Sequence, residues 1–531
     1  MPSLNWIGKE AVVGHHRQVP YHLLRCDNGL SCGDPDAGNL LVEGDNLLAL
    51  KALLPYYAGQ VKCIYIDPPY NTGNEKWAYN DNVNSPEMRR WLGKVVGGET
   101  EDLSRHDKWL CMMYPRLALL REFLRADGAI FVSIDDNELE RLKLLMNEIY
   151  GESNHIATFI WKRRTTPDSR NLNGVSGDHE YILAYQRAQG FRVRGQAKDL
   201  TKYSNPDNDP RGPWMSDNLT GLANAAERPN LHYDVVHPVT GQHYPPHPSR
   251  GWIYGRERMQ GLIDENRMLW PKKAGGRPRL KRYMSDMQAT TTGLSTVLNA
   301  LGNVEATKEL SEIMGPKAFA FPKPSQLIAT LIEQATEPGD VVLDSFVGSG
   351  TTGHAVSTVN SANGGKRRFI LVEMEPKIAQ EITRERIRRV MEGYTNSKGE
   401  AVAGLGGGFR YCRLDKPLFD EQGRIAPEVR FADLAAHVFF TETGSPIPKR
   451  TNGRSPLLGV AKGTAYYLLF NGVLGDKTPD GGNVLTNKVL ASLPAHDGPK
   501  VIFGEGCRLS DGRLRRERIT FKQLPYEIKV S

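Results

Sequence analysis

The sequence predicts an α/β protein organised on a doubly wound sheet, and three observations carry that reading. Short runs rich in β-branched and apolar residues alternate with amphipathic helical stretches. Two of these runs, Val61 to Asn74 (VKCIYIDPPYNTGN) and Val341 to Gly353 (VVLDSFVGSGTTG), end abruptly in loops rich in proline, glycine and acid. The alternation breaks off after about Asn154 and resumes at Phe319, so a long insert divides it. Open sheets of this class hold their ligands at the C-terminal ends of the strands, which makes the two loops the places to look for chemistry.

A chain of 531 residues corresponds to three or four units of about 150 residues each, with room for a substantial core. Hydrophobic residues at 39% and charged residues at 24% are globular values. No apolar run approaches the ~18 residues of a membrane span, and the first residues lack the apolar stretch of a secretory signal. A cytoplasmic chain with no membrane partner is expected. Cys26, Cys32, Cys63, Cys111, Cys412 and Cys507 have no CxxC spacing, which predicts reduced thiols and no metal. The net charge of +7 and pI near 8.9 are mildly basic, so where the charge gathers matters more than its sum.

In chain order, residues 1–37 carry little pattern and read as an N-terminal arm. Residues 38–155 read as one half of the sheet. Leu40 to Val42 form a strand that turns at Gly44-Asp45, with Asp45 or Asn46 able to cap a helix from Leu47 to Leu54. Val61 to Ile66 is a buried strand that runs into Asp67-Pro68-Pro69-Tyr70. The polar stretch Glu75 to Asp107 reads as a flap. Apolar positions from Trp109 to Leu124 keep helical spacing across Pro115, then Ala129 to Ile134 is a strand and Asn137 to Tyr150 an amphipathic helix.

Residues 156–315 are irregular, punctuated by Pro and Gly and by isolated aromatics such as Trp161, Trp214 and Trp252, with a helical pattern only near Thr290 to Ile313. Within Arg250 to Arg282, ten Lys/Arg stand against Glu257, Asp264 and Glu265, a local net of +7 interleaved with aromatics. Such a run is usually a solvated face, but it also describes a surface that tracks phosphates and stacks bases. Residues 316–409 resume the sheet: a helix from Ser325 to Thr336, the strand Val341 to Asp344, a glycine-rich turn opening a helix, the strand Arg368 to Glu373, and a basic helix around Ile378 to Tyr394. Residues 410–531 read as a small α/β domain with no catalytic constellation.

The two loops differ in chemistry. Successive prolines hold Asp67 and the Pro68 carbonyl in extended geometry, with the Tyr70 ring beside them. Gly348-Ser349-Gly350-Thr351-Thr352-Gly353 is a GxGxxG, and Glu373 lies about 20 residues beyond it, where a dinucleotide fold keeps its ribose acid. Alone, this pattern suggests NAD. Asp344, however, sets a carboxylate at the strand's end, which is unhelpful beside a pyrophosphate and suited to a cationic amino-acid moiety. S-adenosylmethionine carries an ammonium and a sulfonium.

Together the loops resemble the amino-methyltransferases of DNA, which carry a DPPY catalytic loop and a DxFxGSG cofactor loop. Asp67 to Tyr70 and Asp344-Ser345-Phe346-Val347-Gly348-Ser349-Gly350 match these, in the β-group order of adenine-specific enzymes. Glu43-Gly44-Asp45, Phe321-Pro322-Lys323-Pro324 and the strand ending at Glu373 add three further matches, so the resemblance covers about residues 38 to 410. DPPYNTGN and WLCMMYPRL look most like the modification subunits of type III restriction systems.

The resemblance implies a Rossmann-like, S-adenosylmethionine-dependent methyltransferase fold, with 38–155 as its catalytic half, 156–315 as the inserted target-recognition region and 316–409 as its cofactor-binding half. It implies catalytic roles for Asp67, Pro68, Pro69 and Tyr70. For the cofactor it implies Phe346, Gly348 and Gly350 around the methionine part, Asp344 near the ammonium, Glu373 on the ribose (with Glu375 a competing acid), Asp45 near the adenine ring, and Phe321, Pro322, Lys323 and Pro324 closing over it. The implied reaction is N6-methylation of an extruded adenine, with double-stranded DNA, a second copy of the chain and a restriction subunit as expected partners. A stand-alone modifier and the modification half of a restriction pair both fit the motifs. Cytosine amino-methylation ranks second, because that group more often has Ser in place of Asp67; an NAD-dependent oxidoreductase explains only the glycine loop and Glu373.

Overall fold

The computed structural model of the chain describes residues 4–72, 93–94, 104–168, 174–273, 275–420, 422–448, 453–472, 478, 481–524 and 528. Most of the polar stretch expected to form a flap therefore lies outside the described residues, as do Gly73 and Asn74. The chain divides into two units, Met1–Val193 with Ser295–Ser531, and Arg194–Leu294.

The larger unit is built on a ten-stranded sheet. Its strands are β1 (His22–Gly33), β2 (Leu40–Glu43), β3 (Val61–Ile66), β4 (Leu124–Ile134), β5 (His155–Lys162), β6 (His179–Gln186), β7 (Val297–Leu298), β8 (Val341–Asp344), β9 (Arg368–Glu373) and β10 (Gly408–Pro417). They lie side by side in the order β1-β10-β2-β9-β8-β3-β4-β6-β5-β7. Strands β10, β2, β9, β8, β3 and β4 are parallel to one another. Antiparallel β6 and β1 flank that block. Parallel strands covered on both faces must be apolar throughout. Accordingly Val61, Cys63, Ile64, Tyr65 and Ile66 of β3 and all four residues of β8 are buried.

Helices α1 (Asn46–Tyr57), α2 (Arg105–Phe123), α3 (Leu139–Tyr150), α4 (Ser325–Ala335), α5 (Thr351–Asn363) and α6 (Arg384–Glu392) connect or follow these strands. Asp45 caps α1, its carboxylate accepting from the Leu47 and Leu48 N–H groups at 2.9 and 3.0 Å. Helix α2 begins at Arg105, earlier than the apolar spacing predicts, because Ser104 and Asp107 close a capping box that periodicity does not register. From β3 the chain winds outward to β4, and from β8 it winds the other way to β9. The order thus reverses between β3 and β8, which opens a crevice at their C-terminal ends.

The structure differs from the sequence reading at the domain edges. Residues 1–37 are not an arm: two short helices (Lys9–Val12 and His15–Gln18) and β1 build onto the sheet, with Trp6, Val12 and Val19 in its core. Strands β5 and β6, residues 155–162 and 179–186, also belong to the sheet, where Phe159, Trp161 and the run Ile182 to Tyr185 are buried. The second unit is accordingly narrower than 156–315. Strand β10 takes the first residues of 410–531 into the central sheet. Beyond it lie a helix, Phe431–Thr443, and a four-stranded sheet of Leu457–Ala461, Thr464–Leu468, Lys500–Gly504 and Ile519–Gln523, the last three parallel. Cys26 and Cys412 face each other across β1 and β10 and form a disulfide, against the expectation of six free thiols. Their distance in sequence conceals a pairing that only the strand register creates.

The second unit has a three-stranded antiparallel sheet of Met268–Leu269, Arg279–Tyr283 and Trp214–Asp217, and a helix Arg256–Asp264, around a core that includes Leu219, Tyr233 and Trp252. Part of its basic run is neutralised internally, through Arg258 with Glu265, Arg267 with Asp286, Lys281 with Asp207 and Arg282 with Asp217. Lys272 and Lys273 are exposed and make no ion pair among the described residues. No described helix is long and apolar enough to cross a membrane.

Buried Asn39 ties three neighbouring strands together. Its side chain donates to the Gly408 carbonyl and accepts from the Phe369 N–H, both at 2.8 Å. Asn39→Ala orphans both backbone groups and should cost ~2 kcal/mol of stability, read from the midpoint of chemical denaturation.

Candidate active site

Strands β3 and β8 are hydrogen-bonded neighbours, with Leu343 in register with Ile64, so Asp67 and Asp344 emerge side by side where the sheet ends. They open on a cleft of about 350 Å³ whose wall also includes Phe321, Pro322, Lys323, Phe346 and Gly348. These residues come from three separate stretches of sequence, and the sheet order brings them to one place.

The loop after β3 is held from two sides. The Trp109 indole N–H of α2 donates to the Pro69 carbonyl at 2.6 Å. Asn71 adopts a left-handed backbone with φ of 57°, and its side chain donates to Glu138 and, at 3.2 Å, to the Arg105 carbonyl. Pro68 is buried between these anchors. Tyr70, also buried, donates its hydroxyl to Glu180 Oε2 of β6 at 3.0 Å.

Asp67 is engaged by Lys323, whose ammonium donates to its two oxygens at 2.9 and 2.8 Å. The same ammonium lies 3.4 Å from Glu180 Oε2 and 4.9 Å from the centre of the Tyr70 ring. Arg163 Nη1 donates to Glu180 Oε1 at 3.0 Å. Burial pushes the Asp67 carboxyl above its usual range, with Lys323 working against that shift. For Lys323 burial disfavours the charge, but Asp67 and Glu180 outweigh it and raise the pKa, so the ammonium stays charged.

Among the described residues Asp344 has no such cation beside it. Its oxygens accept from the Phe346 N–H at 2.9 Å and the Thr352 hydroxyl at 2.5 Å. Burial nevertheless pushes its pKa up to about 7. The glycine turn follows: Gly348 and Gly350 have φ of 52° and 83°, and a Cβ on Gly350 would lie 3.1 Å from the Thr383 carbonyl. Glu373, at the end of β9, is buried and accepts from the Gly348 and Glu375 N–H groups at 3.0 and 2.9 Å, whereas Glu375 is exposed. Of the two acids, Glu373 is therefore the one joined to the glycine turn. Asp45, Pro324, Gly350 and Glu373 stand around the cleft without lining it. Asp45 caps α1 and pairs with Arg116 at 3.3 Å, and Pro324 precedes α4 as its N-cap.

Sequence reasoning passed over Glu180, Arg163 and the role of Trp109. A signal for Glu180 was present: it heads the apolar run Tyr181 to Tyr185, and an acid at the edge of a buried strand needs a partner.

Comparison with known proteins adds a profile, described as DNA methylase, that matches residues 61–384. That range is more than half of the chain and contains both loops. The chain belongs to the DNA methylase family. The chain is 35% identical over 408 residues to the type III restriction-modification enzyme StyLTI Mod subunit of Salmonella typhimurium, covering 71% of this chain and 60% of the relative. It is 31% identical over 441 residues to the EcoP15I Mod subunit of Escherichia coli, covering 74% and 66% respectively. It is 30% identical over 507 residues to the EcoPI Mod subunit of Escherichia phage P1, covering 83% and 74%. The chain thus spans 60% and 66% of the length of the first two relatives. The family match begins at the first residue of β3 and ends at the first of α6, so the neighbouring strands that carry Asp67 and Asp344 both lie inside it.

Between the ordinary carboxylate pKa and about 7, the folded chain keeps a proton on Asp344 that the unfolded chain has released. Asp344 therefore makes stability fall as pH rises through that window. Asp344→Asn removes this dependence, so the thermal midpoint of the variant should gain on the parent from about pH 5 to about pH 8. A constant difference across that range would contradict the assignment.

Proposed function

We propose that this chain transfers a methyl group from S-adenosylmethionine to the exocyclic amino group of adenine at specific sites in double-stranded DNA, acting in the cytoplasm on an extruded base. The observation that carries the reading is the opening of two carboxylates, Asp67 before a double proline and buried Asp344 before a glycine turn, on one cleft. The donor set suits the cofactor: Asp344, buried with neutral donors only among its hydrogen-bond partners, gains most from a cationic group. Asp344 would hold the ammonium, Phe346 and Gly348 the methionine part, Glu373 the ribose and Asp45 the adenine ring, with Gly350 shaping the turn and Phe321 to Pro324 bordering the pocket.

S-adenosylmethionine, when bound, supplies an electrophilic methyl on a sulfonium. The chain's own task is to make a poor nucleophile attack. The amine lone pair of adenine is delocalised into the ring, and acceptors aimed at its two hydrogens favour a pyramidal nitrogen. In this reading the Asp67 carboxylate and the Pro68 carbonyl take that role, and Pro69 keeps the loop rigid. Asp67 need not be a strong base, since the proton becomes acidic once the nitrogen is alkylated. The Tyr70 ring offers a stacking face worth ~1 to 3 kcal/mol per base.

Asp at position 67, where the cytosine group more often has Ser, favours adenine. The relatives named as type III Mod subunits favour a modification role beside a restriction subunit, and a second copy of the chain is the other proposed partner. The unit 194–294, with its exposed Lys272 and Lys273, is the proposed reader of the DNA sequence. Membership of the DNA methylase family displaces the oxidoreductase alternative.

Tritium transfer from labelled S-adenosylmethionine to duplex DNA tests the reading, and nicotinamide turnover without methyl transfer would sink it. Asp67→Ala should lower transfer at least ~100-fold while cofactor binding is retained. Gly348→Val, forced into a backbone unsuited to a β-branched residue, should lose both. Full activity in Asp67→Ala would refute the role given to Asp67.

A further inference from the structure

Lys323 stands where the target amine is expected. Its ammonium donates to both oxygens of Asp67, at 2.9 and 2.8 Å, and lies 4.9 Å from the centre of the ring on which the base would stack. An ammonium and an exocyclic amine both offer N–H donors of this reach, so they compete for one acceptor. The pair is enclosed, with side-chain exposures of 8% for Lys323 and 15% for Asp67. Removing the ammonium with nothing in exchange would leave a buried charge uncompensated, which is strongly unfavourable.

Glu180 removes that obstacle. Its Oε2 lies 3.4 Å from the Lys323 ammonium, just beyond a good hydrogen bond, and its side chain is 6% exposed. Arg163 holds Oε1 and the Tyr70 hydroxyl shares Oε2, each at 3.0 Å, so the receiving carboxylate is fixed in place. The cation therefore has a second, fixed carboxylate 3.4 Å away onto which it can move when it leaves Asp67. Two cations, Lys323 and Arg163, balance two anions, Asp67 and Glu180, before and after the shift.

We propose that Lys323 is a positioning residue that occupies the amine site of Asp67 in the free chain and is handed to Glu180 when the extruded base arrives. The inference rests on the methyl-transfer reading above. Its consequence is selectivity, because only a group that brings its own N–H donors to Asp67 compensates for the departure of the lysine. Lys323 thus acts on the base acceptor, a role distinct from the cofactor contact expected of the FPKP segment.

The test is single-turnover tritium transfer by the full chain at saturating S-adenosylmethionine, on a duplex carrying the site found by sequencing its modified DNA. Calorimetric S-adenosylmethionine binding serves as the control for folding. Glu180→Gln keeps shape and an acceptor for Tyr70 but offers Lys323 no charge, so the lysine stays on Asp67. Its transfer should slow at least about tenfold with cofactor binding unchanged. Adding Lys323→Met to Glu180→Gln should then restore rate, making the double variant several-fold faster than Glu180→Gln alone. A purely structural ion pair predicts a double variant at least as slow.

A wild-type rate in Glu180→Gln, or a double variant no faster than it, would overturn the hand-over. Should Glu180→Gln lose cofactor binding, Lys323→Arg takes its place. The guanidinium fork grips Asp67 in two-donor fashion and should slow transfer at least about tenfold with cofactor binding retained, and a wild-type rate would overturn the proposal. A parent chain that transfers no methyl would overturn the methyl-transfer reading along with it, whereas an active parent with discordant variants would overturn the hand-over alone.

Discussion

Burying charge at the end of a covered sheet is the constraint from which the site follows. Strands β3 and β8 are apolar, apart from Lys62 near the start of β3, because both faces of the sheet are occupied, so a buried carboxylate is placed where each strand stops. Asp67 and Asp344 stand at those two ends. Asp344 is buried and Asp67 only partly exposed, and each settles its charge differently. Asp67 is compensated by the Lys323 ammonium, while Asp344 accepts neutral donors and holds a proton up to about pH 7. A site with one compensated and one uncompensated carboxylate is prepared for two different cationic or N–H-bearing groups.

Precision in the Asp67 to Tyr70 loop depends on anchors outside it. Successive prolines stiffen Pro68 and Pro69, but stiffness alone does not aim the loop. Trp109 fixes the Pro69 carbonyl, and buried Glu138 gathers Asn71 and His106 against the start of α2. Glu180 holds Tyr70 from β6. Strand β6, paired to β4 in the central sheet, is therefore part of the site's support.

Much of the site was legible because its signals are local. An apolar run ending in Asp-Pro-Pro-Tyr, and another ending in Asp followed by glycines, announce both the strand and the loop within a dozen residues. Glycines at 348 and 350 take the positive φ that such a turn requires. What escaped was non-local. Cys26 and Cys412 meet only through strand register, and β1 carries too little alternation to stand out from an arm. The contact among Lys323, Asp67 and Glu180 joins three distant stretches whose proximity depends on the sheet order. Lys323 was legible as part of a motif, yet its partner was not.

The central claim is that Asp67 presents an acceptor to the amine of adenine. Nucleoside mass spectrometry of DNA from a methylation-deficient host expressing this chain tests it most directly. The account predicts N6-methyladenine, present with the parent chain and absent with Asp67→Ala. DNA carrying N4-methylcytosine instead, or N6-methyladenine undiminished by that substitution, would contradict it.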